Sequence, residues 1–71
     1  MDSTRLKLLA SDGVVYVAFT PSLDVDQQRE LAVITCLPNT TAELRARLLE
    51  AGRRWGRRVG LDAVQAQQSV Y

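Results

Sequence analysis

The sequence predicts an α+β fold: an N-terminal β-hairpin over about residues 5–20, a third antiparallel strand at about 30–37, and one long helix at about 41–59 packed across the sheet. Three observations carry this expectation. Asp12-Gly13 stands between two stretches of alternating apolar residues, the pattern of a hairpin with a two-residue turn. Val33-Ile34-Thr35 places three β-branched residues in a row shortly before Pro38. Thr40-Thr41-Ala42-Glu43 is a capping box, and an amphipathic run follows it.

A type I′ turn at Asp12-Gly13 would pair Ala10 with Val15, Leu8 with Val17 and Leu6 with Phe19, all apolar and all on one face. The opposite face would then carry Leu9 with Tyr16, Lys7 with Ala18, and Arg5 with Thr20. Pro21 ends the second strand because it has no N–H for a ladder. Residues 22–29 are polar and read as a connection, with room for one helical turn capped by Ser22 or Asp24. For the segment ending at Leu37 a strand competes with a helix from Asp24 to Leu37. The strand is preferred here, because Pro38 disfavours helical angles at Leu37 and β-branched side chains crowd a helix.

The long helix rests on Leu44, Leu48, Ala51, Trp55 and Val59, which form one stripe at about 100° per residue and should face the sheet. Gly52 and Gly56 are interior glycines, each costing ~1 kcal/mol against alanine, and Gly56 could instead break the helix. Residues 60–71 fit a second helix from about Leu61 or a strand alternating through Val64, Ala66, Gln68 and Val70.

Length and composition bound the function. Seventy-one residues make a single small domain, 1–71, with a thin core. One cysteine excludes an intrachain disulfide, and the absence of histidine leaves no tetrahedral zinc set and removes the commonest general base. Self-association, as a homodimer, is the expected additional source of stability. No stretch approaches the ~20 apolar residues of a membrane span, and the first residues lack a secretory pattern, so a cytoplasmic location is expected. Cys36, in the expected strand, reads as a buried small hydrophobe. No enzyme activity and no cofactor are expected.

The charge is unevenly distributed. The net charge is +1, yet residues 40–60 hold six arginines against Glu43 and Glu50. On helical angles Arg47, Arg53, Arg54, Arg57 and Arg58 lie away from the apolar stripe or at its edge, forming an arginine-rich face suited to phosphate. Arg5 and Lys7, on the outer hairpin face, could extend it, and Leu9 with Tyr16 offers a protein contact there. Against this, Glu43–Arg47 and Glu50–Arg54 are i,i+4 pairs that would simply support the helix.

One alternative fold resembles the ribbon-helix-helix DNA-binding dimers, on the order Ala32–Pro38, Thr40–Trp55, Arg58–Tyr71 and on the Leu37-Pro38 step before a helix. That resemblance implies a strand-paired dimer, although this strand would present only Thr35 as a polar side chain. The expected function is a small regulatory protein that binds nucleic acid, DNA included, in the manner of a transcription regulator. The alternative is an inhibitor or adaptor docking on an acidic protein surface, such as a component of a host transcription complex.

Overall fold

The computed structural model describes residues 2–62. In chain order its elements are β1 (Thr4–Ala10), β2 (Gly13–Thr20), α1 (Val25–Cys36), α2 (Thr41–Trp55) and β3 (Arg58–Leu61). The strands form one antiparallel sheet in the order β1-β2-β3. The fold is α+β, but the third strand comes after the helices and there are two helices where one was expected. Among the described residues no helix is long and apolar enough to cross a membrane.

Both helices lie on one face of the sheet, α1 beside β1 and α2 across β2 and β3. The centre of that face is Val15, Val17 and Phe19 of the middle strand, all fully buried. Leu44, Leu48 and Ala51 of α2 close over them, as the apolar stripe predicts, and Leu31 of α1 joins them. Leu6 and Leu8 flank this core from β1, and Val59 and Leu61 from β3. Trp55 tilts against Phe19 with ring centroids 5.8 Å apart, which confirms it as a core-facing side chain.

The hairpin forms with its expected faces, but its register is shifted by two. Leu8 pairs with Val15, Leu6 with Val17 and Thr4 with Phe19; on the other face Lys7 lies opposite Tyr16 and Leu9 opposite Val14. Ser11 and Asp12 make the turn, and Gly13 already belongs to β2. Positive φ among the described residues occurs only at Gly56 and Asp62, so this is not the expected type I′ turn. The cause is tertiary. The loop between α1 and α2 holds the hairpin tip, with Ser11 N–H donating to the Asn39 carbonyl at 2.7 Å. Asp12 Oδ1 accepts from Thr41 N at 2.7 Å, so this side chain satisfies an orphan donor at the start of α2. Gly13 sits where a Cβ would come within 3.1 Å of the Thr41 methyl.

Residues 25–36 are helical, so the strand expected at 30–37 and with it the ribbon-helix-helix alternative are overturned. Asp24 and Gln27 form a reciprocal capping box, with Gln27 N–H donating to Asp24 Oδ1 at 2.8 Å. Leu31 and Ile34 then reach the core from one side of the helix. Against these gains the β-branched residues carry a propensity penalty under about 0.7 kcal/mol each. Pro38 acts as its chemistry requires, holding Leu37 extended at ψ 147°, but it does so one residue past the helix end. Cys36, expected to be buried, is exposed at the end of α1.

Asn39 is the buried polar residue of this junction. Its Nδ2 donates to the carbonyls of Ile34 and Leu37 at 3.0 and 2.9 Å, satisfying acceptors that the end of α1 leaves open. Asn39→Ala should therefore lower stability by about 1–3 kcal/mol through unsatisfied buried carbonyls. Urea unfolding measures this; an unchanged midpoint would mean that solvent replaces the amide.

The second helix begins as expected. Thr40 Oγ1 accepts from Glu43 N, and Glu43 Oε1 accepts from Thr40 N. These bonds to the cap residue hold the Glu43 carboxyl below its ordinary value of 4.5. The helix does not run to 59: Gly56 adopts φ 69°, and the N–H of Arg57 bonds the Gly52 carbonyl at 2.8 Å. Arg58–Leu61 then pairs with β2, setting Val59 against Phe19 and Leu61 against Val17. Leu61 is thus the end of a strand; the rest of the segment for which a helix from about Leu61 or a strand through Val64, Ala66, Gln68 and Val70 was expected lies outside the described residues.

Candidate functional site

The alternation along each strand that buries one face of the sheet turns the other outward, and among the described residues no helix covers it. From β1 this uncovered face takes Arg5, Lys7 and Leu9, and from β2 it takes Val14, Tyr16, Ala18 and Thr20. From β3 it takes Arg58 and Gly60. In rows across the sheet, Leu9 stands beside Val14, Lys7 beside Tyr16, Arg5 beside Ala18 and then Gly60, and Thr20 beside Arg58. Ala18 and Gly60 are short, so the middle of the face is a low floor. Tyr16 borders it on one side, Arg58 on the other and Arg5 at the sheet edge. With strands ~4.8 Å apart and ~3.3 Å per residue, the backbone positions of Lys7 and Arg58 lie roughly 16 Å apart across this floor.

The electrostatics of the face follow from strand composition. None of the three strands contains an aspartate or glutamate. Asp62 follows β3 directly, and its N–H bonds the Tyr16 carbonyl. With φ at 62°, its carboxylate meets Arg45 of α2 at 3.2 Å and is thereby drawn to the helix layer. Arg5, Lys7 and Arg58 therefore dominate the charge of the uncovered face, and Lys7 and Arg58 have no carboxylate partner among the described residues.

The helix arginines are arranged differently. Arg53 shares one guanidinium nitrogen between both oxygens of Glu50 at 2.7 Å, an i,i+3 pair in place of the expected Glu50–Arg54 pair. The hydrogen bond from Arg53, and after it the guanidinium charge, holds the Glu50 carboxyl below its ordinary value of 4.5. Arg54 reaches across to Glu30 of α1 at 2.9 Å and lies over the Trp55 ring at 5.8 Å, while Trp55 Nε1 donates to the same carboxylate. Arg47 is exposed and borders a groove of about 320 Å³ between the helices, beside Ile34 and Glu50. Arg57 is half-buried in the turn that ends α2.

The five arginines thus do not form one helical face. Arg47, Arg53 and Arg54 sit on the helix layer, Arg57 in the turn, and Arg58 on the far side of the sheet. What the structure does bring together is Arg58 with Arg5, Lys7, Leu9 and Tyr16. The outward set from the hairpin was visible in the alternation. Gly60 and Arg58 are not, because the helix expected to about residue 59 includes Arg58 and leaves Gly60 to the segment beyond it. Comparison with protein-family models, with curated proteins and with solved structures finds no match.

Proposed function

We propose that this protein is a small, non-enzymatic regulatory protein that binds nucleic acid across the uncovered face of its sheet. The observation that carries this reading is a face with Arg5, Lys7 and Arg58 set around Tyr16, built from strands that contain no acidic residue. Cations at these positions neutralise phosphates and release counterions. Tyr16, on the central strand, presents a ring against which a base can stack, and the short Ala18 and Gly60 beside it leave the space for one. A flat sheet face does not enter a duplex groove as a helix does, and stacking requires an unpaired base, so single strands are the preferred ligand. The helix arginines play a lesser part, since Arg53 and Arg54 already meet carboxylates.

The test is fluorescence anisotropy of labelled single-stranded RNA, single-stranded DNA and duplex DNA over a salt series. The double variant Lys7→Ala/Arg58→Ala should bind single strands at least about tenfold more weakly, with the salt slope reduced by about 1.4 for two lost phosphate contacts. Tyr16→Ala should weaken binding with the slope unchanged, and Arg53→Ala should leave affinity within twofold, roughly the effect of losing an exposed, already paired charge. Failure of the native protein to bind any of the three at low salt would overturn the proposal.

One observation favours a second reading. Leu9 is 74% exposed on the same face as Tyr16. An apolar anchor beside an aromatic and three cations also suits an inhibitor or adaptor that docks on an acidic protein surface. In that case Leu9→Ser would abolish partner capture while leaving any nucleic-acid affinity intact.

A further inference from the structure

We infer that two copies of this chain associate through the outer edge of β1 and the adjoining side of α1, joining their sheets into one six-stranded antiparallel sheet. This inference does not rest on the nucleic-acid reading. Three observations converge on it.

First, β1 is an edge strand, and among the described residues nothing pairs with its outer side. It is seven residues long with no proline, and such an edge is a template for another strand. Second, an apolar groove of about 340 Å³ runs beside that edge between β1 and α1, lined by Leu6, Leu8, Leu31, Ala32 and Thr35 among others. Leu6 and Leu8 remain only partly buried there, and Ala32 and Val25 continue the apolar surface onto the exposed side of α1.

Third, a single two-fold axis perpendicular to the sheet satisfies the edge and the helix together. Such an axis pairs β1 with its copy antiparallel and keeps both helix layers on the same side, so α1 meets α1. The helix runs alongside β1 in the same direction: Leu23 N–H donates to Thr4 Oγ1 at 3.0 Å at one end, and Ser11 N–H to the Asn39 carbonyl at 2.7 Å at the other. With ~3.3 Å per strand residue and ~1.5 Å per helix residue, Leu8 lies level with Ala32. An axis at Leu8 therefore sets Ala32 against its copy, where a methyl side chain permits close approach of the two helices. It also keeps the two Lys7 ammonium groups diagonal to each other and not directly opposed.

Charge complementarity identifies the occupant as a second copy. The last turn of α1 contains no basic residue. Arg29 is exposed and has no carboxylate partner among the described residues. The same axis brings Arg29 of one copy beside Thr35 and Cys36 of the other, where a cation complements the carbonyl end of the helix.

Light scattering and sedimentation equilibrium of the full chain test this directly. The native protein is expected at the mass of two chains. Ala32→Arg, a good helix former at an exposed position, should halve that mass with an unchanged helical circular dichroism spectrum. Leu49→Arg, on the exposed side of α2, should leave the dimer intact. Hydrogen exchange of the native chain supplies a readout that needs no variant: the β1 amides pointing away from β2 should gain protection as concentration rises. A monomeric native protein, a dimer that survives Ala32→Arg, or β1 protection independent of concentration would each overturn the inference.

Discussion

Phe19→Ala should leave the protein at or below the margin of folding at ambient temperature. The ring is fully buried, it lies near the end of the middle strand where β3 and α2 meet it, and among the described residues it is the largest side chain with no exposure. It touches both layers, pairing with Val59 across the sheet and tilting against Trp55 of α2 at 5.8 Å between centroids. Truncating a buried phenylalanine costs about 3–5 kcal/mol, through lost transfer energy and the cavity left behind. At about 0.05–0.15 kcal/mol per residue, a chain of this length has a total stability of only about 4–11 kcal/mol. One substitution therefore removes from about a third of that margin to all of it. Urea unfolding followed by circular dichroism measures it, and a loss below about 1 kcal/mol would show that the two layers collapse into the space more readily than cavity energetics allow.

Gly52→Ala should destabilise the protein, although helix propensity alone predicts a gain of ~1 kcal/mol. A Cβ on Gly52 would lie 2.0 Å from Val59 Cγ2 and 3.4 Å from the Arg57 carbonyl oxygen. Val59 cannot withdraw freely, since its backbone is paired with Phe19 in the sheet. Overpacking of this kind costs about 1–3 kcal/mol, and the approach here is close enough to place the net effect at a loss of about 2 kcal/mol. Shortening the opposing side chain should relieve it. In the Val59→Ala background the same substitution should be close to neutral, so the double-mutant cycle reports a coupling of about 2 kcal/mol between contacting residues. A stabilised Gly52→Ala single variant would mean that the turn after α2 yields instead of the contact. The glycine is thus required by the close docking of β3 against α2, not by backbone conformation; Gly56, at φ 69°, is required for the latter.

These two positions show how sequence and structure divide the information. Phe19 was legible as a core residue because the hairpin alternates, and alternation needs only neighbouring residues. Gly52 was legible only as an anomaly, a weak helix former inside a helix. Its reason lies seven residues away in a strand that no local pattern announced. The same holds for the register. Both the predicted and the observed hairpin turn Leu6, Leu8, Val15 and Val17 toward the core face, since a shift of two preserves the faces. The shift itself comes from Asn39 and Thr41, which bond the turn from another part of the chain.

In the candidate site, Arg5, Lys7, Leu9 and Tyr16 share one face in the sequence pattern as in the fold. The arginine row from 53 to 58 forms one surface only on an unbroken helix. Gly56 ends that helix, and the next residues turn Arg58 to the opposite side of the molecule. Glu30 and Glu50, which meet Arg54 and Arg53, complete the change in emphasis from the helix to the sheet.

By itself, the sequence determined the hairpin and its inward face, the start of α2 at Thr40 and its core stripe through Trp55, and the stop at Pro21. Each depends on caps, turn residues or periodicities contained within a few consecutive positions. Only the tertiary structure decided that residues 25–36 are helical, that 58–61 form the third strand, and which cations meet carboxylates. A β-branched run and a following proline bias the backbone by less than burial of Leu31 and Ile34 and a two-bond cap can outweigh. A four-residue strand has no preference strong enough to declare itself until β2 supplies its hydrogen bonds and α2 supplies its cover.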